Sequence, residues 1–215
     1  MNIVILAAGD FPTHSIPLAA LHGADFIVCC DSAYHQLSTL NPQLSTPIVV
    51  IGDGDSLAPC EKRQLGDHYI QVDEQDYNDL HKAMDFATSH YPLPTTHYTL
   101  IGATGKREDH TLGNISYLVT FAEEHPGSEI EMLTDYGRFC AMRGTRTFES
   151  FPRQQVSIFT MDSDRPFSST GLKWPLNNFH ARRWWQASLN EALGSSFSLA
   201  AEDWIVVFRS YEPKE

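Results

Sequence analysis

Six short strand-like runs stand out in the 215-residue chain, residues 2–8, 25–30, 47–51, 68–72, 97–101 and 129–133, the first three of them apolar in almost every position. A strand with one wet face alternates polar and apolar residues. One buried on both faces is apolar throughout, as in a parallel sheet covered by helices. Stretches with helical spacing lie between the runs. Residues 111–124 place Leu112, Ile115, Leu118, Val119 and Ala122 on one face and stop at Pro126-Gly127. Residues 79–90 turn Leu80, Ala83, Met84 and Ala87 inward. This alternation predicts an α/β domain with a mainly parallel sheet over residues 1–143.

After Gly144 the helical period disappears. Strand-like segments at 146–151, 155–161, 182–187, 195–199 and 204–210 are separated by Pro, Gly, Asn and Ser. Residues 144–215 are therefore expected to form a small all-β domain, a sandwich. With 42% hydrophobic residues the chain can bury one large core or two modest ones. Its apolar start lacks a basic n-region and a small-residue cleavage site, so it reads as a buried strand rather than a signal peptide. No run approaches the roughly 20 residues that a membrane helix needs. Cys29, Cys30, Cys60 and Cys140 lack metal-ligand spacing and read as reduced core or near-core thiols of a cytoplasmic protein. A formal net charge of −12 argues against a broad nucleic-acid surface. It still permits a phosphate ligand, because a bound divalent cation inverts the local field.

In open parallel sheets ligands bind at the carboxyl ends of the strands, and the polar residues gather there. Asp31 follows the second run and Asp53 and Asp55 the third, in IGDGDS (51–56). Asp76 and Asp79 follow the fourth in EQDYND (74–79), and GATGKREDH (102–110) follows the fifth. On an extended chain Asp53 and Asp55 point the same way, about 6–7 Å apart. Such hard oxygens suit Mg2+, which keeps several waters and accepts substrate phosphate oxygens. An acidic turn with Gly54 at positive φ accounts for the same residues without a metal. Asp76 and Asp79 stand at a helix start, where capping is the structural alternative. Lys82, one turn on, favours a place in the site for Asp79. The backbone N–H groups of Gly102, Thr104 and Gly105, with the helix that follows, suit phosphate oxygens, although the spacing is neither Walker A nor Rossmann. Arg107 can fork onto a phosphate. Asp109 either caps the helix at Thr111 or joins the acidic cluster, and His110 is read as a hydrogen-bonding support. Trp174, Trp184, Trp185 and Trp204 supply rings for a pyrimidine or a cation, or for the core and an interface.

Taken in order, CDSA (30–33), IGDGDS, QDYNDLHKA (75–83), GATGKREDHTL (102–112) and STGLKWPL (169–176) resemble the blocks of the thiamine pyrophosphokinases, over nearly the whole chain. The resemblance implies an α/β catalytic domain, a β-sandwich that binds thiamine, and a homodimer with active sites between subunits. It implies transfer of a diphosphate from ATP to the thiamine hydroxyl, giving thiamine diphosphate and AMP. Asp31, Asp53, Asp55, Asp76 and Asp79 would surround magnesium and phosphates, with Asp53, Asp55 and Asp79 as ligands. Either Asp76 or Asp79 would accept the hydroxyl proton. Arg107 and Asp109 would lie in the nucleotide and phosphate site, and Ser169, Thr170 and Trp174 near thiamine. Asn190 belongs to a late Ser-Asn pair of the family that reads Leu189-Asn190 here. Lys106 replaces a frequent glycine, and Asn78 stands where threonine is common. The rival readings are a haloacid-dehalogenase-like phosphohydrolase with Asp53 as nucleophile, a pyrophosphokinase for another alcohol such as a pterin, and a non-enzymatic sensor.

Overall fold

The computed structural model describes residues 1–39, 44–74, 76–91 and 96–214. They form two compact units: Met1–Tyr117 with Glu123–Asp135, and Leu118–Ala122 with Tyr136–Glu215. Gln75, quoted in the fourth-strand motif, lies outside the described residues.

In the first unit six parallel strands run β1 (Asn2–Leu6), β2 (Phe26–Cys30), β3 (Ile48–Gly52), β4 (Tyr69–Gln71), β5 (His97–Ile101) and β6 (Glu129–Leu133). Their order across the sheet is β6-β5-β1-β2-β3-β4. The chain thus moves outward from β1 to β4, then returns to place β5 on the other side of β1. Ligand crevices form at such a reversal, outside the carboxyl ends of the two strands that flank it.

The helices are α1 (Ser15–His22), α2 (Tyr34–Ser38), α3 (Pro59–Leu65), α4 (Asp79–His90) and α5 (Glu108–Glu124). On one face of the sheet Val4, Leu6, Ile27, Cys29 and Val50 pack with Leu21 of α1 and Leu37 of α2. Each such apolar side chain contributes about 1.5–3 kcal/mol when fully buried. The expected inward set of α4 is buried as read. That of α5 is rotated: Asn114, Leu118, Val119 and Phe121 are buried, whereas Leu112 is exposed. An apolar period alone turns Asn114 outward; its hydrogen bonds turn it in. No helix among the described residues is long and apolar enough to cross a membrane. Cys29, Cys30 and Cys140 are buried free thiols, but Cys60 is exposed because α3 buries none of its residues.

The second unit is antiparallel. Among strands β7 (Gly137–Glu149), β8 (Gln154–Thr160), β9 (Phe167–Thr170), β10 (Asn190–Glu191) and β11 (Ser196–Pro213), β7, β8 and β9 pair with β11, and β10 pairs with β8. The first half of β11 pairs with β7 and β9, and the second half with β7 and β8. The register shifts between Ala201 and Ile205. A bulge of this kind bends a strand, and side chains from both halves, among them Phe148, Phe197, Ile205 and Val207, share one core. Where a sandwich was expected, these strands belong to one sheet, and the strands expected at 195–199 and 204–210 are fused into β11. The expected boundary at 143/144 falls inside β7, which runs unbroken from Gly137. Residues expected as a strand at 182–187 instead contain a 3-10 turn at Trp184–Ala187.

Candidate active site

The carboxyl ends of β1 and β5 are zipped together by backbone bonds. Gly9 N–H donates to Gly102 O at 2.6 Å and Asp10 N–H to Thr104 O at 2.8 Å. Lys106 Nζ donates to Ala8 O at 2.6 Å. Lys106 adopts φ 56°, between Gly105 at φ 82° and the start of α5. A left-handed backbone costs an ordinary residue about 1–2 kcal/mol, so the Lys106–Ala8 bond holds a conformation that glycine adopts freely.

Beside this seam lies a cavity of about 300 Å3. Of the residues expected in the site, Asp79, Gly105, Arg107 and His110 line it. Ala8, Gly9, Ser32, Asn78, Lys106 and Asn114 line it as well, without having been singled out for a site. Asn78 shows why α4 starts where it does: its side chain accepts from His81 N–H at 3.0 Å and is the N-cap. That frees Asp79 from the capping role considered for it. The Asn78 amide donates to Asn114 Oδ1 at 3.0 Å, and Asn114 donates to Ala103 O at 2.8 Å. Two buried or half-buried amides thus brace α4 and α5 against the β5 loop. An asparagine in a helix interior, against its propensity, was the available signal for Asn114.

Asp31 opens the turn after β2. It is 1% exposed, and neither carboxylate oxygen has a hydrogen-bond partner among the described residues. It packs on Gly52, where an added Cβ would stand 2.5 Å from Asp31 Cβ. Burying a carboxylate without partners is unfavourable, so this group marks a place for a cation or a donor. Asp53 and Asp55 do not form the extended pair expected of them. Asp53 Oδ1 accepts from Asp55 N–H at 3.1 Å around Gly54 at φ 85°, an Asx turn.

Asp79, 38% exposed, lies 3.7 Å from Lys82 Nζ. Burial pushes its carboxyl above the usual range; Lys82 opposes this, while Asp53 and Asp31 add to it. The acidic field extends to Tyr69, whose hydroxyl is buried without a partner. Burial pushes that phenol up first, then Asp31, Asp53, Asp73 and Asp55. Tyr69 and Lys62 both abut Gly54, and neither stood out in the sequence. Among the described residues, Asp53, Asp55 and Asp79 do not bring three ligand oxygens within 4.8 Å of one another.

Two expected residues, Asp76 and Asp109, stand apart. Asp76 is exposed and lines no part of the cavity; its N–H donates to the Glu74 carboxylate. Asp109 does not cap at Thr111, because α5 begins at Glu108 and Thr111 N–H already bonds Arg107 O. Instead it takes the Arg107 guanidinium in a fork, at 3.1 and 2.5 Å. That hydrogen bond holds the Asp109 carboxyl below its ordinary range.

In the second unit, Ser169 and Asn190 are buried and bonded to backbone. Ser169 Oγ accepts from Leu176 N–H at 2.9 Å. Asn190 accepts from Trp174 N–H at 3.2 Å and donates to Trp174 O at 2.7 Å. Together they shape the loop that presents Trp174, whose side chain is half exposed under Lys173 Nζ, 5.0 Å from the ring centroid. Thr170 is exposed. Leu189, in the late pair, is exposed at φ 59° and donates its N–H to Ser157 Oγ.

A family model described as thiamin pyrophosphokinase, catalytic domain, matches residues 19–131, and one described as thiamin pyrophosphokinase, substrate-binding domain, matches residues 137–208. A rice protein, thiamine pyrophosphokinase 1, is 30% identical over 145 residues, covering 61% of this chain and 53% of the rice protein. The chain thus spans about half the length of that relative. The fold matches thiamin pyrophosphokinase from Candida albicans with a TM-score of 0.83 at 19% identity, over 98% of this chain and 89% of the other. Thiamin pyrophosphokinase from Geobacillus thermodenitrificans matches with a TM-score of 0.75 at 26% identity, over 99% and 98%.

Proposed function

Because the chain belongs to the thiamin pyrophosphokinase family, we propose that it transfers a diphosphate from ATP to the hydroxyl of thiamine, releasing AMP. The observation that carries this reading is the match of a catalytic and a substrate-binding model, in order, to the two parts of one chain. No observation favours the phosphohydrolase or the pterin alternative.

The acidic residues fit magnesium. The unpartnered, buried oxygens of Asp31 need a positive neighbour, and Asp53, Asp55 and Asp79 offer further hard oxygens. Magnesium needs no closed protein cage, since one or two carboxylates with waters and phosphates suffice. Asp53, Asp55 and Asp79 would hold the ion, with Asp31 behind them. When bound, it would supply charge neutralisation at the phosphate oxygens.

The transfer itself calls for positioning more than covalent help. The thiamine oxygen forms a bond to the β-phosphorus as the bond from that phosphorus to the α,β-bridging oxygen breaks. The bridging oxygen leaves with AMP. Asp79 is the better of the two candidate acceptors for the hydroxyl proton. It lines the cavity, whereas Asp76 is exposed and does not. The N–H groups around Gly105 and the start of α5 suit phosphate oxygens. Arg107 would exchange its Asp109 partner for phosphate and stabilise the departing AMP, with His110 supporting the loop. Trp174 would face thiamine, on a loop shaped by Ser169, Thr170 and Asn190. A homodimer with shared sites, acting in the cytoplasm on small molecules only, completes the reading, and the four free thiols fit that compartment.

Phosphorus NMR of the protein with ATP, magnesium and thiamine tests the assignment. AMP appearing with thiamine diphosphate is the expected outcome. ADP or inorganic phosphate as the product would replace it with a kinase or a hydrolase.

A further inference from the structure

Outside the cavity, α4 and the end of α5 bring together one imidazole and two carboxylates. His81 is 5% exposed. Its Nδ1 lies 3.2 Å from Asp85 Oδ2, one helical turn along α4. Its Nε2 lies 3.7 Å from Glu124 Oε2, on the last residue of α5. Taking one ligand atom from each residue, all three fall within 4.8 Å of one another.

The ring is held in place. Tyr77 stacks on it at 4.2 Å and 13°, Tyr117 closes from the side at 5.4 Å, and the backbone N–H of His81 donates to the Asn78 cap. The carboxylates are not so confined: Asp85 is 53% exposed and Glu124 45%. A rigid imidazole opposite two adjustable carboxylates, open to water on one side, is a donor set for a single ion.

The geometry points to a second metal site, formed by His81, Asp85 and Glu124, for a divalent transition cation such as Zn2+, Mn2+ or Co2+. Bonds of about 2.0–2.2 Å from nitrogen and oxygen place ligand pairs no more than roughly 4.3 Å apart. The spacing here is close to that limit, and the half-exposed carboxylates can adjust to the ion. A ring nitrogen separates this site from the acidic one, because imidazole suits zinc, copper, iron and nickel whereas oxygen-only sets suit magnesium. A pair at i and i+4 on a helix presents both ligands on one face. The third ligand, from α5, would make the ion a clamp between two helices. The first turn of α4 carries Asp79 and Lys82, so the clamp would bear on the cavity through a rigid element.

Titrating the full-length, tag-free protein with Co2+ in a large excess of Mg2+ tests the inference, with visible absorption and thermal unfolding as readouts. One equivalent should bind, and Tm should rise by several degrees. Asp85→Ala and Glu124→Ala alter half-exposed side chains and leave the buried ring in place. Each should weaken Co2+ binding at least tenfold and remove the Tm increase. Asp53→Asn should leave both readouts unchanged. Competition by Mg2+, or affinities within twofold of wild type in both alanine variants, would overturn the site. Because the readouts do not depend on turnover, they also stand apart from the proposed diphosphate transfer.

Discussion

At the residue scale the most informative group is Asp31. An ion buried without partners opposes folding until something positive arrives. Asp31→Asn should therefore stabilise the ligand-free protein by about 1–3 kcal/mol, while the further stabilisation given by Mg2+ with ATP is largely lost. Thermal unfolding with and without both additions measures the two effects. A variant less stable than wild type in the absence of ligand would mean that the carboxylate has a structural partner. Lys106 poses the opposite case, a strained residue held by a bond. Lys106→Gly removes a strain of about 1–2 kcal/mol and a hydrogen bond of about 1 kcal/mol. Its stability should lie within about 1 kcal/mol of wild type. A large loss in urea titration would show that the Lys106–Ala8 bond outweighs the backbone cost.

At the element scale, caps and loop ties decide where helices begin. Asn78→Ala should cost about 1 kcal/mol through loss of the cap on α4. It also cuts the bridge to Asn114, so turnover should fall more than stability does. Asp135, beyond β6, accepts the N–H of Thr13 at 2.9 Å, the Thr13 hydroxyl at 2.5 Å and the N–H of His14 at 3.0 Å, just ahead of α1. Burial alone would push its carboxyl up, but the bonds from His14 and Thr13 prevail and hold it below the ordinary range. A carboxylate depressed in the folded state stabilises above its unfolded pKa, and the contribution is lost as pH falls through the depressed value. Asp135→Asn should therefore be destabilised by about 1 kcal/mol at pH 7. The gap to wild type should close below about pH 4. Urea unfolding across that range checks the sign. A gap that widens on acidification would contradict it.

At the scale of the whole molecule, the second unit exposes Trp185, Leu189 and Leu193. Large apolar side chains left in water favour a partner surface, in keeping with the proposed homodimer. Sedimentation at micromolar concentration should show a dimer that Leu189→Asp and Leu193→Asp weaken. A monomer at every concentration would remove the basis for sites shared between subunits.

Much of this was legible in the linear chain. Runs apolar on both faces can be satisfied only between covering layers, so the six parallel strands and the inward face of α4 follow from composition and period. Glycine and aspartate at the ends of those runs pointed to one edge of the sheet as the candidate site, and the same signal at Ala8-Gly9-Asp10 was open to reading. Other features depended on contacts distant in sequence. The placing of β5 beside β1, which creates the crevice, is a property of strand order, and periodicity carries no order. The inward turn of Asn114 depends on Ala103 and Asn78, which no local pattern reveals. The fusion of two strands into β11 depends on β7 pairing across a polar interruption that reads locally as a turn. The Asx turn at Asp53 and the cap at Asn78 reassigned roles because a side chain's hydrogen-bond partner is chosen in space. Residue types thus set which chemistry the chain can support, and packing decided which of its carboxylates face the cavity and which face water.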